Sequence, residues 1–269
     1  MNKIKIFFLL SALCLSFWFC GCQAAPQKES ADLPQITIGC DTYPPYIYLD
    51  NNGSLAGLDV DIATQAFQKL GYDAKFTMID WEKKDTLLNS GKIDCIWSCF
   101  SMAGREDLYQ WAGPYMVSRQ MVAVNETSSI TQLSQLAGKT IAVKSTGKPE
   151  EIFLSGTDPR IPAVADVIST EERGIQFAAL DCGYVDAVAA HETTILQYMQ
   201  DYHVSFRILE EPLLTTGLGV AFAKSDDRDL AEKLDQTLTQ MRKDGSMRRI
   251  IRHYLDDADR YLEVDSLEN

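Results

Sequence analysis

The sequence has few basic residues and few histidines for its length. It contains 25 Lys and Arg against 38 Asp and Glu in 269 residues, which gives a formal net charge of −13. Because nucleic acids and anionic membrane surfaces are bound by clustered Lys and Arg, this balance argues against both as partners. The sequence also lacks an internal run of 18 apolar residues, so it predicts no membrane-spanning helix. Only three histidines are present, none of them near Cys95 and Cys99 in sequence, which argues against a metal pair there. We expect no metal site and no cofactor.

The N-terminus differs in composition from the rest of the chain. Lys3 and Lys5 precede a mostly apolar segment at residues 6–19, which is too short to span a bilayer comfortably. A small residue, Gly21, then precedes Cys22. This order of charged, apolar and small residues is typical of a signal peptide.

The same residues resemble the signal of bacterial lipoproteins. In that signal, the cysteine becomes the first residue after cleavage and carries acyl chains such as palmitate. We therefore expect a signal peptide over residues 1–21, lipidation of Cys22 and a tether over residues 22–34. Two or more acyl chains would anchor the protein stably to the cell membrane. Simple secretion is the alternative.

Four of the seven cysteines remain after the signal peptide and Cys22 are set aside. They are Cys40, Cys95, Cys99 and Cys182. Cys95 and Cys99 are four residues apart on one expected strand, roughly 13 Å, which is too far for a disulfide. Buried free thiols are the favoured interpretation. The redox state of Cys40 and Cys95, which we expect on neighbouring strands, stays open.

Strand-like and helix-like segments alternate from Gln35 onwards. Residues 36–40 are typical of a strand, and the next helix has Asp59 as its expected N-cap and Gly71 at its end. Residues 93–98 are apolar enough for a strand that is buried on both faces. Strands alternating with helices indicate right-handed βαβ units on a parallel sheet. We therefore predict an α/β fold.

One sequence pattern occurs twice. Residues 88–96 and 180–188 share the pattern Leu-x-x-Gly-x-(Ile/Val)-Asp-x-(Ile/Val). Two copies of one helix-turn-strand unit suggest two similarly built, Rossmann-like α/β lobes. Ligands of open parallel sheets bind beyond the C-terminal strand ends. Facing lobes would therefore form a ligand cleft.

The expected lobes are discontinuous in sequence. We assign residues 35–119 and 217–269 to the first lobe and residues 120–216 to the second. The chain would cross between the lobes at two hinge segments, residues 118–121 and 215–219.

Several stretches, in this order and spacing, carry a resemblance to a known family. They are ITIGCDTYPPY at 36–46, GSLAGLDVDIA at 53–63, Trp81 with LLNSGKID at 87–94, GPY at 113–115, LAGKTIAV at 136–143 and GYVDA at 183–187. Together they resemble the bacterial extracellular solute-binding proteins of ABC importers for polar amino acids, over nearly all of residues 35–256. The resemblance implies a type II periplasmic-binding-protein fold, with two lobes, two hinges and a ligand cleft, and a monomer.

The resemblance also implies a site for the ligand carboxylate. Arg105 is the expected anchor by its place in the segment 100–105, where the family has a Ser or Thr shortly before an Arg, and a solvated helix arginine is the alternative. A buried carboxylate needs such a bidentate cation and N–H donors. Ser101 would donate its hydroxyl, and Ser98 and Cys99 would offer backbone groups.

The second lobe would add the start of a helix at Thr146, Gly147 and Lys148, whose free N–H groups suit an anion. The segment from Ser101 to Arg105 is one residue shorter than the commonest family pattern and includes Gly104.

The remaining expected contacts concern the ligand's amine and side chain. Asp41 is the acidic group expected near the amine, and Tyr43, Tyr46 and Trp81 would form an aromatic wall. The sequence departs from the family at His191, where most members have an Asp that binds the α-ammonium.

Glu192 follows His191 and would have to take over from the next position. A neutral His would accept one hydrogen bond, whereas a protonated His would repel an ammonium. A ligand that is modified at its amine is therefore also compatible with the sequence.

Three functions are compatible with these features. The first is a lipid-anchored binding protein that captures an amino acid, or a closely related zwitterion, and delivers it to the membrane subunits of an ABC importer without chemical change. The second is an enzyme of the dehydratase or lyase type on the same scaffold, with His191, Glu192 and Asp41 as acid and base groups. The third is a ligand sensor that acts by docking.

Overall fold

A computed structural model of the protein describes residues 33–267. The expected signal peptide, the lipidation site at Cys22 and nearly all of the tether lie outside the described residues. Within residues 33–267, no helix is both long enough and apolar enough to cross a membrane.

The described residues form eleven strands, nine of which belong to one sheet. The strands are β1 (Gln35–Cys40), β2 (Tyr48–Leu49), β3 (Leu55–Ala56), β4 (Asp73–Met78), β5 (Cys95–Ser101), β6 (Gln110–Asn125), β7 (Thr140–Lys144), β8 (Asp166–Thr170), β9 (Ala187–His191), β10 (Phe206–Ile208) and β11 (Leu214–Phe222). The order across the large sheet is β4-β1-β5-β11-β6-β9-β7-β8, with β10 paired to β6, while β2 and β3 form a separate pair.

Seven α-helices accompany these strands in the described part of the chain. They are α1 (Leu58–Lys69), α2 (Lys84–Asn89), α3 (Lys148–Ser155), α4 (Arg173–Asp181), α5 (Glu192–Tyr202), α6 (Leu230–Lys243) and α7 (Ser246–Tyr254). Short 3₁₀ turns lie at Trp81–Lys83, Leu133–Leu136, Asp259–Tyr261 and Val264–Ser266.

The long strands β6 and β11 join two parallel sheets. On one side β1 pairs in parallel with β4 and β5, and on the other β7 pairs in parallel with β8 and β9. Strands β6 and β11 run antiparallel between them, with Leu214 opposite Gln120 and Thr216 opposite Ser118. The two expected hinge segments are therefore neighbours on this pair of strands.

The buried side chains fall into separate clusters on the two sides of β6 and β11. Two clusters draw their buried members from residues 36–116 and 218–261. The other two draw theirs from residues 121–213. The fold is thus a two-lobed α/β architecture. The residue boundaries that we assigned to the lobes stay a prediction.

The repeated sequence pattern performs the same structural task in both halves. The Asp94 carboxylate accepts a hydrogen bond from the Thr37 N–H on β1 at 2.8 Å, and the Asp186 carboxylate accepts one from the Thr140 N–H on β7 at 2.9 Å. In both copies the glycine of the pattern has a positive φ, 70° at Gly91 and 73° at Gly183. Each copy thus turns the chain at a left-handed residue and attaches the turn to the first strand of its parallel sheet.

The expected capping role of Asp59 was wrong. Gly57 occupies the N-cap of α1 with φ 129°, and a Cβ there would lie 2.2 Å from the Tyr46 carbonyl oxygen. Asp59 is instead fully buried, where its carboxylate accepts hydrogen bonds from the Cys99 N–H at 2.7 Å and the Tyr115 hydroxyl at 2.8 Å. Burial raises the pKa of Asp59 to about 6.

The four cysteines in the described residues are free. Cys40 and Cys95 lie on the neighbouring strands β1 and β5, as expected. Cys40, Cys95 and Cys99 are buried, and Cys182 is exposed. Burial raises the pKa of the Cys40 thiol to about 12, so this thiol stays protonated at neutral pH.

Candidate functional site

The C-terminal ends of β5, β7 and β9 border one cavity, which the start of α3 and side chains of β6 and α4 complete. Its volume is about 40 Å³, whereas a protein cavity that takes up benzene measures about 150 Å³. An amino acid can therefore enter only if the lobes part or the side chains in the cleft withdraw.

Ten of the thirteen residues that the sequence suggested for ligand binding line this cavity. They are Tyr43, Trp81, Ser98, Cys99, Ser101, Arg105, Thr146, Gly147, Lys148 and His191. Asp41, Tyr46 and Glu192 do not line it. The structure thus gathers most of the expected site in one place, and ligand contact by each residue stays a prediction.

Arg105 reaches across the cleft. Its Nη1 donates to the Ser101 carbonyl oxygen at 3.3 Å, and its Nη2 donates to Glu151 Oε2 at 3.4 Å. The guanidinium lies 5.2 Å from the centre of the Phe100 ring. Only 12% of the side chain is exposed, so Arg105 is a cleft residue rather than a solvated one.

The start of α3 holds carboxylates of its own helix. The Thr146 N–H donates to Glu150 Oε2 at 2.6 Å, and Lys148 Nζ donates to Glu151 Oε1 at 2.5 Å. Acidic groups are favoured at this end of a helix, where N–H groups are free. The start of α3, which lines the cavity, is thus occupied by the helix's own carboxylates, and its binding of a ligand anion stays a prediction.

Gly104 explains the unusual segment before Arg105. A Cβ at Gly104 would lie 2.9 Å from Lys148 Nζ, and Gly104 has φ 71°. The glycine therefore leaves room for a lysine of the opposite lobe and adopts a backbone conformation that other residues rarely take.

Asp41 faces two cations of the second lobe. Its Oδ2 lies 3.8 Å from Lys144 Nζ and 3.6 Å from Arg173 Nη2. The Arg173 guanidinium also stacks on the Tyr43 ring, 3.4 Å from its centre. Asp41 thus meets cations of the protein itself, and its expected position beside a ligand amine stays a prediction.

His191 is buried among neutral partners. Its Nδ1 lies 2.6 Å from Ser118 Oγ, and its Nε2 lies 2.8 Å from Gln120 Nε2. An amide nitrogen only donates, so Nε2 accepts and Nδ1 carries the proton. Burial, and then the Arg173 charge, lower the pKa of His191 to about 3, which keeps the ring neutral at pH 7.

Glu192 points away from the cavity. Its carboxylate accepts from Arg119 Nη2 at 2.7 Å and from Arg260 Nη2 at 2.8 Å. In this arrangement Glu192 is engaged by two arginines, and its expected contact with a ligand amine stays a prediction. Tyr46 is also outside the cavity, fully buried with its hydroxyl accepting from Thr193 Oγ1 at 3.0 Å.

Two serines that line the cavity use their hydroxyls within the protein. Ser98 Oγ donates to the Asp41 carbonyl oxygen at 3.0 Å. Ser101 Oγ lies 2.8 Å from Thr216 Oγ1 on β11, which connects the site to an expected hinge segment. Trp81 packs edge-on against Phe100 with ring centres 5.4 Å apart.

Several buried polar atoms of the cavity lining have no hydrogen-bond partner within residues 33–267. They are Gln120 Oε1, Thr146 Oγ1, Arg173 Nε and Gln176 Oε1. A buried polar group without a partner costs free energy, so a partner such as a ligand in the cavity would stabilise these atoms. Thr146 and Cys99 also have positive φ, 53° and 50°, and strained backbone of this kind clusters at ligand sites.

Sequence reasoning missed several polar residues of the cavity: Gln120, Lys144, Arg173 and Gln176. Lys144 directly precedes the strand end expected at Ser145-Thr146, and this position could have identified Lys144 as a residue of the cleft. Arg173 and Gln176 lie on the first turn of α4, and no local motif indicates that this turn faces the cleft.

The two-lobed architecture agrees with one protein family. Residues 36–257 match the family model of bacterial extracellular solute-binding proteins, family 3. The chain belongs to this family. It is therefore an extracytoplasmic solute-binding protein, as the family description implies.

Curated relatives in this family bind different amino acids. The chain is 26% identical over 236 residues to the glutamate-binding protein of Corynebacterium glutamicum, which covers 80% of this chain and 77% of the relative. It is also 26% identical over 237 residues to the histidine-binding periplasmic protein of Escherichia coli, which covers 84% of this chain and 90% of the relative.

Solved structures of the family share the fold. The substrate-binding protein of an ABC uptake transporter from Streptococcus pneumoniae, with bound histidine, superposes with a TM-score of 0.77 at 25% identity, covering 83% of this chain and 93% of that one. An ancestral arginine-binding protein bound to arginine superposes with a TM-score of 0.74 at 27% identity. The match covers 82% of this chain and 98% of that one.

Proposed function

We propose that this protein captures an amino acid, or a closely related small carboxylate, in the cleft and delivers it to an ABC importer. The observation that carries the proposal is the position of the Glu151 carboxylate. It is bound at once by Arg105, which follows β5, and by Lys148 at the start of α3. A carboxylate in this place connects the two sides of the cleft.

Ligand capture would work by exchange of carboxylates. The Glu151 side chain is 50% exposed, so it can move into solvent when a ligand carboxylate takes its place. A ligand that binds both Arg105 and Lys148 has these contacts only when the lobes are closed. It would therefore shift the equilibrium towards the closed form. The closed form is what an importer would recognise.

We further propose that Cys22 carries the lipid anchor and that the mature protein is a monomer tethered to the outside of the cell membrane. The tether would let the binding domain reach the importer's membrane subunits. Labelling cells with an acyl-chain probe tests the anchor, and Cys22→Ala should abolish the label.

An enzymatic role has less support from the arrangement. The acid and base groups expected for it are His191, Glu192 and Asp41. His191 is neutral with both ring nitrogens engaged, and Glu192 is bound by Arg119 and Arg260. Asp41 pairs with Lys144 and Arg173 and does not line the cavity. None of the three groups is therefore placed to transfer a proton to a ligand there. No described contact favours the sensor role over delivery to an importer.

Calorimetric titration of the mature protein, freed of carried-over ligand, tests the proposal. The panel contains the common amino acids and related carboxylates. We expect tight binding of one or a few, with Arg105→Gln lowering affinity about 100-fold, because charge-assisted bonds of a buried carboxylate contribute about 3 kcal/mol. Arg252→Gln is the control, since Arg252 is 60% exposed on α7. Unchanged affinity in Arg105→Gln would refute the proposed site.

A further inference from the structure

The charges around the cavity are not those that a zwitterion requires. Four cationic side chains line it: Arg105, Lys144, Lys148 and Arg173. No Asp or Glu within residues 33–267 lines it, although acidic residues outnumber basic ones in the chain. Like charges in a poorly solvated cleft repel one another strongly. The cavity is therefore complementary to an anion.

Arg105 and Lys148 hold a carboxylate at the rim of the cavity. Arg105 Nη2 lies 3.4 Å from Glu151 Oε2, and Lys148 Nζ lies 2.5 Å from Glu151 Oε1. The two cations carry one charge more than the carboxylate that they share. Since the Glu151 side chain is half exposed, this pair can exchange it for a ligand carboxylate.

The other two cations form a second pair with one carboxylate. Lys144 Nζ and Arg173 Nη2 share Asp41 Oδ2. Arg173 Nε is buried and has no partner in the described residues. One N–H donor and one excess positive charge are thus left for a second carboxylate.

Two glutamines of the lining offer neutral hydrogen-bond acceptors. Gln120 and Gln176 are 2% and 1% exposed, and their Oε1 atoms have no partner within the described chain. His191 is held by Ser118 and Gln120. The two glutamine oxygens can accept from a hydroxyl or an amide N–H. An ammonium would add a fifth positive charge to four cations, without a carboxylate of the lining to balance it.

We propose that the cleft takes a small dicarboxylate that carries a hydroxyl or amide N–H in place of a free ammonium group. One carboxylate lies on Arg105 and Lys148, and the other lies on Lys144 and Arg173. The uncharged donor bonds to Gln120 or Gln176. This assignment rests on the proposed function of the cleft as a ligand site and names the chemical class of the ligand.

Matched pairs of ligands test the assignment by calorimetry on the mature protein. Malate is compared with aspartate, and 2-hydroxyglutarate with glutamate. The two compounds of each pair share one carbon skeleton, and the first carries a hydroxyl where the second carries an ammonium group. N-acetylglutamate supplies an amide N–H, and glutamine is the monocarboxylate comparison. We expect a hydroxyl or N-acetyl compound to bind at least about 100-fold more tightly than its amino counterpart. Equal or tighter binding of the amino compounds overturns the assignment.

Variants locate the second carboxylate. Arg173→Gln should weaken binding of the preferred dicarboxylate at least about 50-fold, whereas the exposed-site control Arg252→Gln should leave it unchanged. Lys144→Gln serves as the second variant if Arg173→Gln changes the unfolding midpoint. Unchanged affinity in a folded Arg173→Gln or Lys144→Gln variant overturns the assignment.

The outcomes separate this assignment from the proposed function. Tight binding of glutamine or another monocarboxylate amino acid, with no dicarboxylate bound, overturns the dicarboxylate assignment and leaves the proposed function intact. No binding of any small carboxylate overturns both.

Discussion

Glu151 and Arg105 form an ion pair across the cleft, with Nη2 and Oε2 3.4 Å apart. Because Lys148 holds the other oxygen of the same carboxylate, Glu151 occupies the position that we propose for a ligand carboxylate. The Glu151 carboxylate thus competes with a ligand carboxylate for Arg105 and Lys148.

Removing the Glu151 charge should tighten ligand binding. In Glu151→Gln, a ligand carboxylate no longer competes with a charged side chain for Arg105 and Lys148. Because exposed ion pairs contribute up to about 1 kcal/mol, we expect a gain in affinity of up to about fivefold by calorimetry. Glu126→Gln, an exposed acid-to-amide change outside the cavity, should have no effect. A loss of affinity in Glu151→Gln would show that this carboxylate supports binding rather than opposing it.

A side chain at Gly104 should impair closure of the cleft. The added methyl group in Gly104→Ala would lie 2.9 Å from Lys148 Nζ, and the backbone has φ 71°. We expect unfolding to become easier by about 1 kcal/mol and ligand affinity to fall several-fold.

Gly53→Ala is the matched control for Gly104→Ala. Gly53 has φ 77°, but nothing lies within 4 Å of its added Cβ. The control should therefore lose similar stability and keep its affinity. Equal affinities in the two variants would contradict the proposed role of the contact between Gly104 and Lys148.

The sequence predicted the parts of the site that follow strand ends. The strand predicted over residues 93–98, which the structure has at Cys95–Ser101, and the helix that starts after Thr146 have local signals, because apolar runs, glycine and proline mark element boundaries. The repeated pattern predicted two similar units, and the matching bonds of Asp94 and Asp186 give its physical basis.

The parts that the sequence did not predict depend on contacts between distant residues. Arg173 pairs with Asp41, which is 132 residues away in the sequence. Glu192 is bound by Arg119 and Arg260, which are 73 and 68 residues away. Such pairings are set by the packing of whole elements, and local spacing does not indicate them. The same reason explains Asp59, whose buried partners replaced an expected cap.

His191 should make the protein less stable in acid. The pKa of His191 is lowered from 6.5 to about 3 by burial and the Arg173 charge, so between these values the unfolded chain binds more protons than the folded one. Stability should therefore fall as the pH decreases through this range, by on the order of 5 kcal/mol at most.

The comparison of His191→Asn with the wild type measures this effect. Urea unfolding from pH 7 to pH 4 should show a smaller loss of stability in His191→Asn. His253→Asn, a change at an exposed site on α7, should retain the wild-type dependence. Parallel curves for His191→Asn and the wild type would contradict a neutral, buried His191.

Asp59 should have the opposite effect on stability. The pKa of its carboxyl is raised from 3.8 to about 6 by burial, so the folded protein binds more protons than the unfolded chain between these values. The contribution of Asp59 favours folding at low pH and is lost as the pH rises towards 6. The wild type should therefore lose on the order of 3 kcal/mol relative to Asp59→Asn between pH 4 and pH 7. Urea unfolding of both proteins measures this effect. A difference in unfolding free energy between the wild type and Asp59→Asn that does not change with pH would contradict a raised pKa at Asp59.

The most direct test of the central claim is a crystal structure of the protein with the tightest ligand from the calorimetric panel. We predict a ligand carboxylate within hydrogen-bond distance of both Arg105 and Lys148, with the Glu151 side chain displaced from both. A ligand whose carboxylate lies elsewhere, with Glu151 still bound to Arg105 and Lys148, would contradict the proposed exchange of carboxylates.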